Sequence, residues 1–182
     1  MRSLFIATCY FTLLFLPLAV KAQIGSAQSQ VNLIVRELMS VEIKQSSVMI
    51  NMNLPSHYKF GNNSGMQHNH IKVTTTSNYV LSVSTTAQNF SYQGLYSSLP
   101  VNTVQVEAFL GDLNPYLNAS DVTFNSNVSL SSAKVNLLSS HSSETSQSFD
   151  VNYTIPTSKV DHFLNIPSGS YKTTVIYTII PN

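Results

Sequence analysis

Hydrophobic residues recur at every second position along most of this chain, the spacing of strands that keep one face on a core. The pattern is clearest near the C-terminus. There Tyr171, Thr173, Val175, Tyr177 and Ile179 fall on one face, and Lys172, Thr174, Ile176, Thr178 and Ile180 on the other. Pro167 and Gly169 make the turn before them, and from Val175 onward both faces are largely apolar, as in a strand entering an interior. The first half alternates too. Val31, Leu33 and Val35, then Met39, Val41 and Ile43, predict one long kinked strand or two short ones. Val48, Ile50, Met52 and Leu54 repeat the pattern until Pro55 stops it.

His57 to Asn69, with Gly61, Asn62, Asn63 and Gly65, reads as a loop or wide hairpin. Strand signals resume at Ile71 and Val73, and Ser77-Asn78 turns the chain into Tyr79, Leu81 and Val83. A loop rich in Gln, Tyr and Ser is expected from Ala87 to Pro100. Further strands are predicted around Val104–Leu110, Val122–Phe124, Val128–Leu130, Val135–Leu138 and Phe149–Ile155, with Val160–Pro167 leading into the last one. No stretch shows a 3.6-residue period with helix caps, so little helix is expected. Short strands, turn signals and no helical segments between them predict an all-β chain: one Ig-like antiparallel Greek-key β-sandwich over residues 31–182.

Residues 1–22 have the pattern of a cleaved signal peptide. Arg2 supplies a positive start, Leu4 to Leu18 an apolar run, and Val20-Lys21-Ala22 a small-x-small cleavage site. Residues 23–30 read as a flexible polar leader. Export is therefore expected, to the periplasm, cell surface or medium. No later run approaches the ~20 apolar residues of a membrane span. Cys9 is the single cysteine and lies in the signal segment, so no disulfide or thiol chemistry is expected of the exported chain. Without Arg2 and Lys21, seven basic residues stand against eight acidic ones, a net charge of −1. Only 9% of residues are charged, which argues against a nucleic-acid partner.

Candidate chemistry is sparse. His68 and His70 fall on one strand face and His57 is near in sequence, the beginnings of a metal site, but no local carboxylate completes it. No Gly-x-Ser-x-Gly elbow, calcium-loop spacing or phosphate loop occurs. The expectation is a protein without enzymatic activity or cofactor. Phe90, Tyr92 and Tyr96, in the Ala87–Pro100 stretch, form a candidate aromatic patch for sugar or protein ligands.

The Pro-x-Gly turn before Tyr171 resembles the tyrosine corner of Greek-key sandwiches, which implies a buried ring whose hydroxyl bonds to backbone a few residues upstream. The closing GSYKTTVIYTII is similar to the end of bacterial fimbrial (chaperone–usher-like) pilin subunits and of WxL-type surface domains. The chain differs from those families in having no cysteine pair and no Trp. The resemblance implies an incomplete Ig-like domain whose missing strand comes from the N-terminal extension of another subunit, by β-strand addition. Val31, Leu33 and Val35 would then be the donor side chains, and Val175, Tyr177 and Ile179 would line the acceptor groove. If residues 28–36 pair within their own domain, these residues are ordinary core. The expected function is thus an exported structural or adhesive surface protein, partnered by copies of itself or related subunits. The alternative is a stand-alone module that binds a glycan or a cell-surface protein through Phe90, Tyr92 and Tyr96.

Overall fold

The computed structural model of the chain describes residues 29–182 apart from Pro115 and Ser143. The expected signal segment and leader residues 23–28 lie outside the described residues. The chain divides into two units, Met1–Val35 and Arg36–Asn182. In the first, residues 29–35 carry neither helix nor strand, and Gln30 donates a hydrogen bond to Asn32 Oδ1. The expected strand over Val31–Val35 therefore does not form in this chain. The spacing is that of a strand, but a strand exists only where a second one meets it.

The second unit is all-β and antiparallel. One sheet contains β1 (Met39–Ile43), β3 (Gln67–Thr75), β11 (Ser146–Pro156), β7 (Gln105–Leu110) and β9 (Val128–Ser129) in that spatial order, with β2 (Gly61–Asn63) also paired to β11. A second sheet runs β13 (Val175–Pro181), β4 (Tyr79–Thr85), β10 (Val135–Ser140), β8 (Val122–Phe124). A third, small sheet joins β12 (Tyr171–Lys172), β5 (Asn89–Tyr92) and β6 (Leu95–Pro100). The core draws on both larger sheets. Ile71, Val73, Val106, Phe149 and Val151 from the first meet Tyr79, Leu81, Val83, Leu137 and Leu138 from the second, all essentially inaccessible. Phe124 and Phe149 touch edge to face across it at 6.1 Å between centroids. Each such fully buried side chain contributes about 1.5–3 kcal/mol, which is how a chain without internal disulfides holds together.

On β11, Phe149, Val151, Tyr153 and Ile155 are buried as the period-2 pattern expects, but Asp150, which that pattern turns outward, is buried too, with Gln147 and Ser148, so burial alternates only from Val151 onward. Elsewhere the pattern and the ladders part company. Val48, Ile50 and Met52 pack on the core but belong to no strand. Their period records one apolar face, and that face does not require a ladder partner. The region expected as a loop after Pro55 holds a one-turn helix, α1 (His57–Phe60), and then β2. Gly61 permits this junction: its φ is +80°, and a Cβ there would lie 2.0 Å from the Ile155 carbonyl oxygen. The Ala87–Pro100 loop is instead the β5–β6 hairpin, closed by Gln93 and Gly94 with φ of 50° and 82°. Residues Thr157–Phe163 form a 3₁₀ helix.

The last strand is not continuous. It breaks at Thr173–Thr174, because Tyr171–Lys172 pair with β5 in the small sheet whereas Val175–Pro181 pair with β4. The Tyr171 hydroxyl donates to the Pro167 carbonyl four residues upstream at 2.9 Å, as a tyrosine corner requires. Its ring, however, is only half-buried and stacks on Tyr92 at 4.9 Å rather than entering the core.

Candidate interaction surfaces

Each of the two larger sheets has an edge strand paired on one side only, β1 on β3 and β13 on β4, and these two edges approach one another. Register shows which backbone groups they leave free. In β13, Thr174 accepts from Thr86 N–H and Asn182 donates to the Asn78 carbonyl, so the even-numbered residues between them face β4. The N–H and C=O groups of Val175, Tyr177 and Ile179 therefore point to the open edge, while their side chains pack on the core. These are the three residues expected to line an acceptor groove. The edge stops at Pro181, which has the same parity and no N–H.

The same argument applies to β1. Leu38 accepts from Thr76 N–H and Lys44 donates to the His70 carbonyl, so Met39, Val41 and Ile43 turn their backbone groups outward. Their part in this edge was not foreseen. The alternation of Met39, Val41 and Ile43 was legible, but an edge is a property of pairing between segments far apart in sequence. Among the described residues no strand covers either edge.

Tyr177 is fixed by a polar cluster that joins the sheets. Its hydroxyl lies 2.6 Å from that of Tyr153 on β11, and the Tyr153 hydroxyl lies 3.4 Å from His70 Nε2 on β3. The other ring nitrogen of His70 meets Gln45 Oε1. Burial pushes the His70 pKa below its usual 6.5. Burial also raises both tyrosine pKa values, that of Tyr177 strongly, with the neighbouring Tyr153 adding to it. A second cross-sheet knot lies deeper: Tyr79 and Ser140 hydroxyls both donate to Gln147 Oε1, at 2.8 and 2.9 Å.

The prospective donor side chains lie exposed: Val31 is 88% accessible, Leu33 85% and Val35 81%. The candidate ligand residues are dispersed. Phe90 packs against the core, Tyr92 is held by Tyr171 and by a 3.0 Å bond to the Ser168 carbonyl, and Tyr96 is 84% exposed on β6. Beside them a cavity of about 250 Å³ opens at the hairpin tip, lined by Ser91, Tyr92, Gln93, Ser168, Ser170 and Lys172 among others.

The three histidines do not converge. His57 Nδ1 faces the N–H groups of Asn53 and Leu54, and His70 is in the core cluster. His68 Nδ1 lies 2.7 Å from the buried carboxylate of Asp150. Asp150 also accepts from Asn69 N–H at 2.7 Å, where Asn69 takes φ +50° in an irregular stretch of the β3–β11 ladder. That carboxylate satisfies a bulge, which accounts for its burial. Among the described residues no group of three or more His, Cys, Asp and Glu forms a metal-binding cluster, and no helix is long and apolar enough to cross a membrane. In comparisons with known proteins, no family model and no curated protein matches the chain.

Proposed function

We propose that this protein is an exported, non-enzymatic structural or adhesive subunit of a bacterial cell surface, built as an Ig-like Greek-key sandwich and assembled by β-strand addition. The observation that carries the reading is a segment of alternating aliphatics, Val31, Leu33 and Val35, each more than four-fifths exposed and in no strand of its own chain. Three apolar side chains that water surrounds gain stability when a partner covers them, at about 25 cal/mol per Å² of apolar surface. A second observation supplies the complement. The open edge of β13 offers the backbone groups of three alternate residues, Val175, Tyr177 and Ile179, and Met39, Val41 and Ile43 flank them on β1. A donor with three inward side chains matches an acceptor three residues long. The partners are copies of this chain or related surface subunits. The resemblance of the closing strand to fimbrial pilins and WxL-type domains agrees with this reading.

The test is the protein from its source cells on a denaturing gel, loaded with and without boiling. A ladder of multimers that collapses on boiling is expected, and the triple change Val31→Asp, Leu33→Asp and Val35→Asp is expected to abolish it. A single monomer band from unboiled wild-type protein, or a ladder unchanged by the triple substitution, refutes assembly through this segment.

A further inference from the structure

The small sheet places chemistry on the surface that strand addition does not use. Its registers pair Lys172 with Ser91 and Ser91 with Tyr96, so these three form one row across β12, β5 and β6. Tyr171, Tyr92 and Leu95 form the row on the other face. Tyr96 presents its ring to solvent from a strand rather than from a mobile loop. Lys172 is exposed and makes no ion pair among the described residues. Ser91 and Lys172 also belong to the wall of the 250 Å³ cavity at the hairpin tip.

We propose that this cavity, together with Tyr96 opposite Ser91 on the adjoining strand, is a binding site for an acidic sugar, a pyranose that carries a carboxylate. Three features point to that ligand class. The wall mixes Ser91, Gln93, Ser168, Ser170 and Lys172 with Tyr92 and two glycines, a combination of polar groups and apolar surface that suits a pyranose, which has hydroxyls on its rim and C–H groups on its face. An exposed aromatic ring opposite Ser91 gives a sugar's C–H face a surface to stack on. The uncompensated Lys172 selects a negative group, and a single cation suits a monovalent carboxylate. The volume falls just below the ~300 Å³ at which pockets for drug-sized ligands begin, so it fits one sugar unit of a longer chain.

The site is also rigid. Tyr92 is fixed by its stack on Tyr171 and by its hydroxyl bond to the Ser168 carbonyl. The chain at Gly169 lies against the same ring so closely that a Cβ would fall 2.7 Å from Tyr92 Cε2. Little ordering remains to be done on binding.

The experiment is affinity electrophoresis of the wild-type protein through gels containing polygalacturonate, alginate or hyaluronan, with dextran as the neutral polymer. Retardation by at least one acidic polymer and not by dextran is expected. Lys172→Gln is expected to weaken it at least about tenfold, through the loss of a charged hydrogen bond. Tyr96→Ala is expected to weaken it by about two- to tenfold. Both side chains are exposed, and unchanged melting temperatures would show that the fold is intact. The Val31/Leu33/Val35 triple variant is expected to bind as wild type, since the site does not depend on assembly. Absence of retardation by all three acidic polymers overturns the proposal, as does equal retardation by dextran or retardation that survives both substitutions.

Discussion

Tyr177→Phe removes one oxygen from the contact that joins the last strand to the opposite sheet. Its hydroxyl lies 2.6 Å from that of Tyr153, whose other hydrogen-bond partner among the described residues is His70 Nε2 at 3.4 Å, too long to replace it. The substitution leaves the buried Tyr153 hydroxyl without a good partner, at a cost of about 1–3 kcal/mol. For a domain of this size each kcal/mol lowers the midpoint by roughly 2–4 °C, so a fall of about 2–12 °C is expected. Tyr153→Phe leaves both Tyr177 and His70 Nε2 unpaired and is expected to cost at least as much. Because the two hydroxyls act on one bond, the double variant should fall short of the sum by about 0.5–1.5 kcal/mol. Urea unfolding followed by tyrosine fluorescence is a clean assay, since the chain has no Trp. A Tyr177→Phe protein within about 0.3 kcal/mol of wild type, the margin expected of unrelated sites, with strict additivity in the double variant, would refute the cross-sheet bond.

The same cluster sets the pH response. His70 has its folded pKa held below 6.5 by burial, so its contribution is fully present above pH 6.5 and is lost as pH falls from there through the folded pKa. The slope in that window approaches about 1.4 kcal/mol per pH unit, and His70→Gln should reduce it in acid unfolding curves. Tyr153 and Tyr177 are raised above 10, so stability should also decline as pH rises from 10 through their folded pKa values, less so in the double Phe variant. Gly61→Ala combines a left-handed φ with a Cβ 2.0 Å from the Ile155 carbonyl oxygen. It should cost at least about 2 kcal/mol, and a chemical-denaturation midpoint equal to wild type would contradict the described α1–β2 junction.

The sequence carried the all-β class because period 2 over β-branched and aromatic residues is a local signal, visible at Phe149–Ile155 and Tyr79–Val83 without knowledge of any partner. It carried the Tyr171 hydroxyl bond for the same reason, since donor and acceptor are four residues apart. What it did not carry is pairing. Val48, Ile50 and Met52 look like Met39, Val41 and Ile43, yet only the latter meet β3. Likewise the Tyr171–Ile180 run keeps one unbroken alternation while changing sheets at Thr173–Thr174, because β5 and β4 lie in different places. Composition masked the β5–β6 hairpin, whose Ser, Gln and Gly suggest a loop until Tyr171 and Lys172 arrive from far downstream to pair with it. The edge residues of β13 were legible as a face, and their outward backbone groups only from the register with β4.

The most direct test of assembly by strand addition is cysteine cross-linking between two differently marked chains, both in a Cys9→Ser background. One carries Leu33→Cys, and the other carries Val175→Cys, Ile179→Cys or, at the far edge of the first sheet, Ser129→Cys on β9. A strand added beside β13 brings Cβ atoms within about 5 Å of that strand, close enough for a disulfide after small adjustments. A mixed dimer under mild oxidation with Val175→Cys or Ile179→Cys, and none with Ser129→Cys, is the predicted result. No mixed dimer with either β13 cysteine, or equal yield with Ser129→Cys, contradicts it.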